Sequence, residues 1–74
     1  MDEKLLKDTL AKNLKILRAK NDYSQEQLAE LADISQQQIS FLENGKMNPK
    51  LTMLVQIAEV FGITVNDLIY ESKY

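Results

Sequence analysis

The sequence predicts an all-α fold of five short helices, and three observations carry that reading. Leu6, Leu10, Leu14 and Leu17 recur at helical spacing. Ser24, Ser35 and Thr64 each stand three residues before a Gln or Asp, the arrangement of a capping box. Asn44–Gly45 and Gly62 supply stops, and no stretch alternates apolar with polar residues long enough to make a strand.

The elements follow in order. The leucine stripe predicts an amphipathic helix from Asp2 or Glu3 to Lys20, ended by Asn21–Asp22. Ser24 caps a second helix with Gln27 closing the box, and Leu28, Ala29 and Leu31 form its apolar face until Asp33 breaks it. Ser35 and Gln38 repeat the device for a third helix, with Ile39 and Leu42 inward and Gly45 taking the left-handed turn after it. Met47–Asn48–Pro49 reads as a loop. A fourth helix spans Leu51 to Phe61, with Leu54, Ile57, Ala58 and Phe61 inward, and Gly62 stops it. Thr64 and Asp67 cap a fifth, carrying Val65, Leu68 and Ile69. Helices this short do not hold alone, so their apolar stripes must share one core.

Composition narrows the function. Seventy-four residues make one domain, 1–74. There is no cysteine and no histidine, so disulfides, the usual zinc sites and the usual general base are excluded; no enzyme, metal or cofactor is predicted. No apolar run reaches the ~20 residues of a membrane span, and MDEKLLKDTLAKN lacks a signal-peptide core. A cytoplasmic location follows. Net charge is −2, but unevenly spread: residues 1–20 are net +3 and residues 21–45 net −5, with Lys46 and Lys50 after them. Contact with nucleic acid would depend on local cations and helix N-termini rather than on the total.

The second and third helices, about 24–43, form an angular pair of the kind that projects its second helix into a DNA major groove. The small Ala29 lets the two backbones approach. The outer face of the third helix offers Gln36, Gln37, Ser40 and Phe41. Glutamine can pair bidentately with adenine, and a Phe ring can pack on thymine methyl groups. Backbone N–H groups at Ser24–Gln25 and Ser35–Gln36 are placed to hold phosphates. Taken singly, each feature has a plain alternative: solvated glutamines, ordinary caps, solubility lysines, a Phe that closes the core or binds protein. Their joint placement favours a DNA reader.

With these residues in view, the chain resembles the Cro/C1-type helix-turn-helix domains of lambdoid and 434-type phage repressors and many small bacterial regulators. The likeness covers about residues 14–69 and rests on Arg18, Ser24-Gln25, Leu28-Ala29, Ile34-Ser35, Ile39-Ser40, Glu43-x-Gly45, Pro49, Leu54 and Ile57-Ala58. It implies a compact lambda-repressor-like domain. It implies an internal ion pair between Arg18 and Glu43, base reading by Gln36 and Gln37, and a third groove-facing position at Phe41. It also implies phosphate contacts from Gln25, Asn44 and Lys46, with Gln38 turned towards the protein. Asp22 and Asp33 stand where the family commonly has glycine. Lys50 stands where it often has a Ser or Thr cap, which exchanges capping for a phosphate contact.

Such a domain covers part of one DNA turn, so the expected unit is a homodimer on a palindromic operator of double-stranded DNA, weakly associated without it. The interface is expected at Ile63, Val65, Ile69, Tyr70 and Tyr74, with Met47 and Met53 as lesser candidates and Leu68 completing the core. No small-molecule effector site is apparent. The function expected is a transcriptional regulator, a repressor that occludes a promoter. The alternative is a protein-interaction module, such as an antitoxin or adaptor, for which the acidic Glu26, Glu30 and Asp33 and the apolar Phe41 would serve.

Overall fold

The computed structural model describes residues 2–70. Its helices are α1 (Glu3–Lys20), α2 (Gln25–Ala32), α3 (Gln36–Glu43), α4 (Leu51–Phe61) and α5 (Val65–Ile69), with no strand among the described residues. Each start has a local cause. Asp2 accepts from the Leu5 N–H at 2.7 Å and caps α1. Ser24, Ser35 and Thr64 close complete capping boxes with Gln27, Gln38 and Asp67. Only α4 begins without a side-chain cap, because its N-cap is Lys50, which has no acceptor to offer.

The ends are equally local. Gly62 takes φ +66° after α4 and Gly45 takes φ +64° just beyond α3. Asp22 and Asp33 also adopt the left-handed conformation, at φ 55° and 56°. Aspartate enters this region more readily than most side chains, so both turns form where the resemblance would have placed glycine.

α1 packs against α3 and α5, α2 against α3 and α4, and α4 against α5. Between them lie Leu10, Leu14 and Leu17 of α1, Leu28, Ala29 and Ala32 of α2, and Ile39 and Leu42 of α3, with Leu54, Ile57 and Leu68 closing the far side. Each fully buried Leu or Ile contributes roughly 1.5–3 kcal/mol relative to exposure. Leu68 completes the core as expected.

Three apolar assignments change. Leu31 is 56% exposed; α2 buries Leu28, Ala29 and Ala32 instead. Consecutive residues turn by about 100°, so Leu31 falls well off the stripe centred between Leu28 and Ala29. Met53 is buried in the core and therefore offers nothing to a partner. Phe61 is half-buried at the core edge, its ring 6.0 Å from that of Tyr23.

A buried polar residue that the leucine pattern concealed joins the two ends of the described chain. Asn13, with no exposed surface, donates through Nδ2 to the carbonyls of Leu68 at 2.8 Å and Tyr70 at 2.9 Å. These carbonyls close the last turn of α5, which is too short to satisfy them internally. Asn13 Oδ1 is buried without a hydrogen-bond partner.

Candidate nucleic-acid interface

The third helix is positioned by an ion pair. Glu43, only 2% exposed at the end of α3, receives two bonds from Arg18 of α1: Nε to Oε2 at 2.6 Å and Nη2 to Oε1 at 2.9 Å. Arg18 Nη1 donates to the Tyr23 carbonyl at 2.9 Å, and Gln25 Nε2 donates to Glu43 Oε1 at 3.2 Å. One carboxylate thereby fastens α1, the α1–α2 turn and the start of α2 to the end of α3. Hydrogen bonding to Glu43 raises the Arg18 pKa above its ordinary value, against the opposing pull of partial burial. The fork geometry suits arginine and would not suit lysine.

With α3 fixed by Ile39, Leu42 and Glu43 on its inner side, the opposite side is open. Gln36 and Gln37 are exposed in the first turn, Phe41 is 39% exposed one turn on, and Ser40 is half-buried beside it. Gln38 turns back: its Oε1 accepts from the Ser35 N–H at 3.2 Å. Asn44 caps the other end, with Nδ2 donating to the Ser40 carbonyl at 2.8 Å. Lys46 is exposed just after it, and its backbone N–H donates to the Phe41 carbonyl at 2.9 Å. Lys50 is exposed at the start of α4.

The helix N-termini differ in one respect from expectation. The Ser24 N–H donates to Gln27 Oε1 at 2.8 Å, and the Ser35 N–H is held by Gln38 in the same way. The donors left without an intrahelical partner in each first turn are those of the next two residues, Gln25 and Glu26 in α2 and Gln36 and Gln37 in α3. Gln25 itself is half-buried, with one amide hydrogen engaged by Glu43.

Of the residues expected at a self-association surface, Ile63, Val65 and Ile69 are half-buried against the core and Tyr70 is 54% exposed. Tyr74 lies outside the described residues. Met47 is half-buried. The large apolar side chains left in solvent at Leu51, Val55, Leu31 and Leu5 were not anticipated. Leu51 and Val55 lie one turn apart on the outer face of α4. Among the described residues no group of His, Cys, Asp and Glu could hold a metal, and no helix is long and apolar enough to cross a membrane.

The family model described as helix-turn-helix (HTH_3) matches residues 14–68, which contain the ion pair, both capping boxes and the exposed glutamines. The chain belongs to the HTH_3 family. An uncharacterized HTH-type transcriptional regulator of the archaeon Methanocaldococcus jannaschii is 41% identical over 59 residues, covering 78% of this chain and 89% of that one. The immunity repressor protein of Bacillus phage phi105 is 32% identical over 63 residues, 85% of this chain but 44% of the repressor. Among solved structures, a hypothetical transcription factor from Neisseria superposes with a TM-score of 0.87 at 27% identity, over 95% of this chain and 79% of that one. The restriction-modification controller protein C.AhdI of Aeromonas hydrophila superposes with a TM-score of 0.78 at 28% identity, over 86% and 94% of the two chains. The HTH_3 family is one of DNA-binding transcription regulators, and within it α2 and α3 are the helix-turn-helix.

Proposed function

We propose that this HTH_3 protein is a sequence-specific repressor that binds an inverted-repeat operator as a homodimer in the cytoplasm. The observation that carries the reading is the outer face of α3. Gln36 and Gln37 stand exposed in its first turn while Ile39, Leu42 and the Arg18–Glu43 pair hold its inner face rigid. A rigid helix with two exposed amides at its leading end can hydrogen-bond base edges in the major groove, with Ser40 and Phe41 touching the bases beyond. Asn44, Lys46 and Lys50, with the first-turn amides of α2 beside Ser24 and Gln25, would hold phosphates on either side.

The domain extends 29 × 24 × 19 Å, shorter than one ~34 Å DNA turn. Two copies related by a twofold axis would place their α3 helices in successive major grooves on one side of the duplex. Tyr70, with Ile63, Val65 and Ile69 behind it, offers a mixed apolar and polar surface for that pairing; tyrosine suits an interface that stays partly wet. The repressor sign draws support from the phage relative, whose name describes an immunity repressor. With 390 Å³ or so, the cleft between α2 and α4 is shallow and acidic, bordered by Asp33 and Glu59, and is assigned no effector.

Selection of binding sites from a random duplex library at low salt, about 50 mM, tests this. The expected product is an inverted repeat with half-site centres about 34–36 Å apart. Absence of enrichment at micromolar protein would transfer the fold to a protein-interaction role, of the antitoxin or adaptor type.

A further inference from the structure

The basic surplus of residues 1–20 has no part in the reading helix, yet the fold brings some of it to the end of that helix. Lys12 and Lys15 are exposed on α1, one turn apart. They share a cleft of about 570 Å³ with Glu43, Asn44 and Gly45, the end of α3 and the turn after it. α1 lies hard against this turn: a Cβ placed on Gly45 would sit 3.8 Å from Asp8 Oδ1. Thus the side of α1 facing the cleft continues the surface on which Asn44 and Lys46 lie.

Charge distinguishes these two lysines from their neighbours. Lys7 is paired with Glu3 at 3.2 Å, and Glu3 is held below the ordinary carboxylate range by Asn48 first and Lys7 second. Lys12 and Lys15 make no ion pair among the described residues. The cleft holds two acids. Glu43 is neutralised by the Arg18 fork, which leaves Asp8 as the opposing charge. The end of α3 also presents carbonyls, the negative end of the helix dipole. A phosphodiester backbone passing it would be repelled unless cations stood beside it, and Lys46 alone is a slender provision.

We infer that Lys12 and Lys15 form a second phosphate-binding strip, which grips the DNA backbone where it runs past the C-terminal end of α3. The ligand is the phosphodiester backbone of the duplex, without regard to base. The inference rests on the DNA-reading function proposed above and extends it to a surface outside the helix-turn-helix. It gives an acidic protein a local cation set where phosphate is closest, and it makes α1 a DNA-facing element as well as a core one.

The test uses the full chain, a duplex carrying the selected site and a scrambled duplex of the same length. Lys12→Gln and Lys15→Gln, singly and together, are titrated from about 50 to 200 mM salt. Both side chains are exposed, and an unchanged thermal transition checks that the fold is intact. The slope of log affinity against log salt is expected to flatten by about 0.9 for each lysine removed, on both duplexes alike. Hydroxyl-radical footprints on the selected site should lose one symmetric pair of protected backbone positions. A double variant with the wild-type slope and footprint would overturn the inference while leaving the reading function standing. So would a changed base preference at constant slope, which would make these residues base readers. Failure of the wild-type protein to prefer the selected site over the scrambled one would instead remove the reading function, and the inference with it.

Discussion

The domain contains two buried polar junctions, and they are built differently. Around Glu43, a charge is buried and nearly every hydrogen-bonding site is used: Arg18 supplies two bonds, Gln25 a third, and Arg18 spends its remaining reach on the Tyr23 carbonyl. Around Asn13, a neutral amide donates twice, to Leu68 and Tyr70, and leaves Oδ1 unpartnered. The first junction joins α1, α2 and α3 and fixes the pose of the reading helix. The second fastens α5 to α1 at the side where a partner subunit is proposed. A buried charge tolerates no loose valence, because an unpaired ion inside costs several kcal/mol. A buried amide tolerates one at a cost of order 1–3 kcal/mol. The reading side is therefore the more rigidly specified of the two.

Breaking the stronger junction should produce the largest effect. Glu43→Ala leaves the Arg18 guanidinium partly buried without its acceptor, and a loss of about 3–5 kcal/mol in unfolding free energy is expected by denaturant titration. Arg18→Lys should recover only part of the wild-type value, because an ammonium cannot reproduce the two parallel bonds. Asn13→Ala should cost less, about 1–3 kcal/mol, by leaving two carbonyls unsatisfied. Its discriminating property is location. The variant should keep the base preference of the wild type and lose affinity chiefly through weaker dimerisation, seen by sedimentation as a higher monomer fraction. A changed base preference in Asn13→Ala would erase the distinction between the two junctions.

Smaller changes sharpen the comparison at the helix ends. Lys50→Ser would supply α4 with the cap it lacks and should stabilise the fold by about 1 kcal/mol. If Lys50 holds a phosphate, the same variant binds all duplexes more weakly and its salt slope flattens by about 0.9. Stability and affinity then move in opposite directions. Asp33→Gly should stabilise by a fraction of the ~1–2 kcal/mol that a left-handed L-residue costs, with a small rise in melting temperature.

Much of this architecture was legible in the residues. The five helices begin and end where the Ser and Thr caps and the glycines put them, because capping and left-handed turns are local chemistry. The Arg18–Glu43 pair was readable only through family likeness; 25 residues apart, two charges carry no periodic signal. Asn13 was invisible for a related reason. An asparagine among leucines reads as a polar interruption, and its partners are backbone carbonyls 55 and 57 residues away. Leu31 was misassigned because two turns of helix are too short to fix the centre of an apolar stripe, and the small Ala32 takes the buried place. Lys12 and Lys15 were visible as local positive charge, but only the packing of α1 against Gly45 sets them beside α3.

The central claim is that α3 reads bases through Gln36 and Gln37 while the rest of the domain holds it in place. The most direct measurement is binding-site selection repeated with Gln36→Ala and with Gln37→Ala, alongside thermal unfolding of each. The account predicts unchanged stability, an affinity loss of about 1–3 kcal/mol on the wild-type site, and relaxed preference at positions placed symmetrically in the two half-sites. Wild-type base preference in both variants would contradict it.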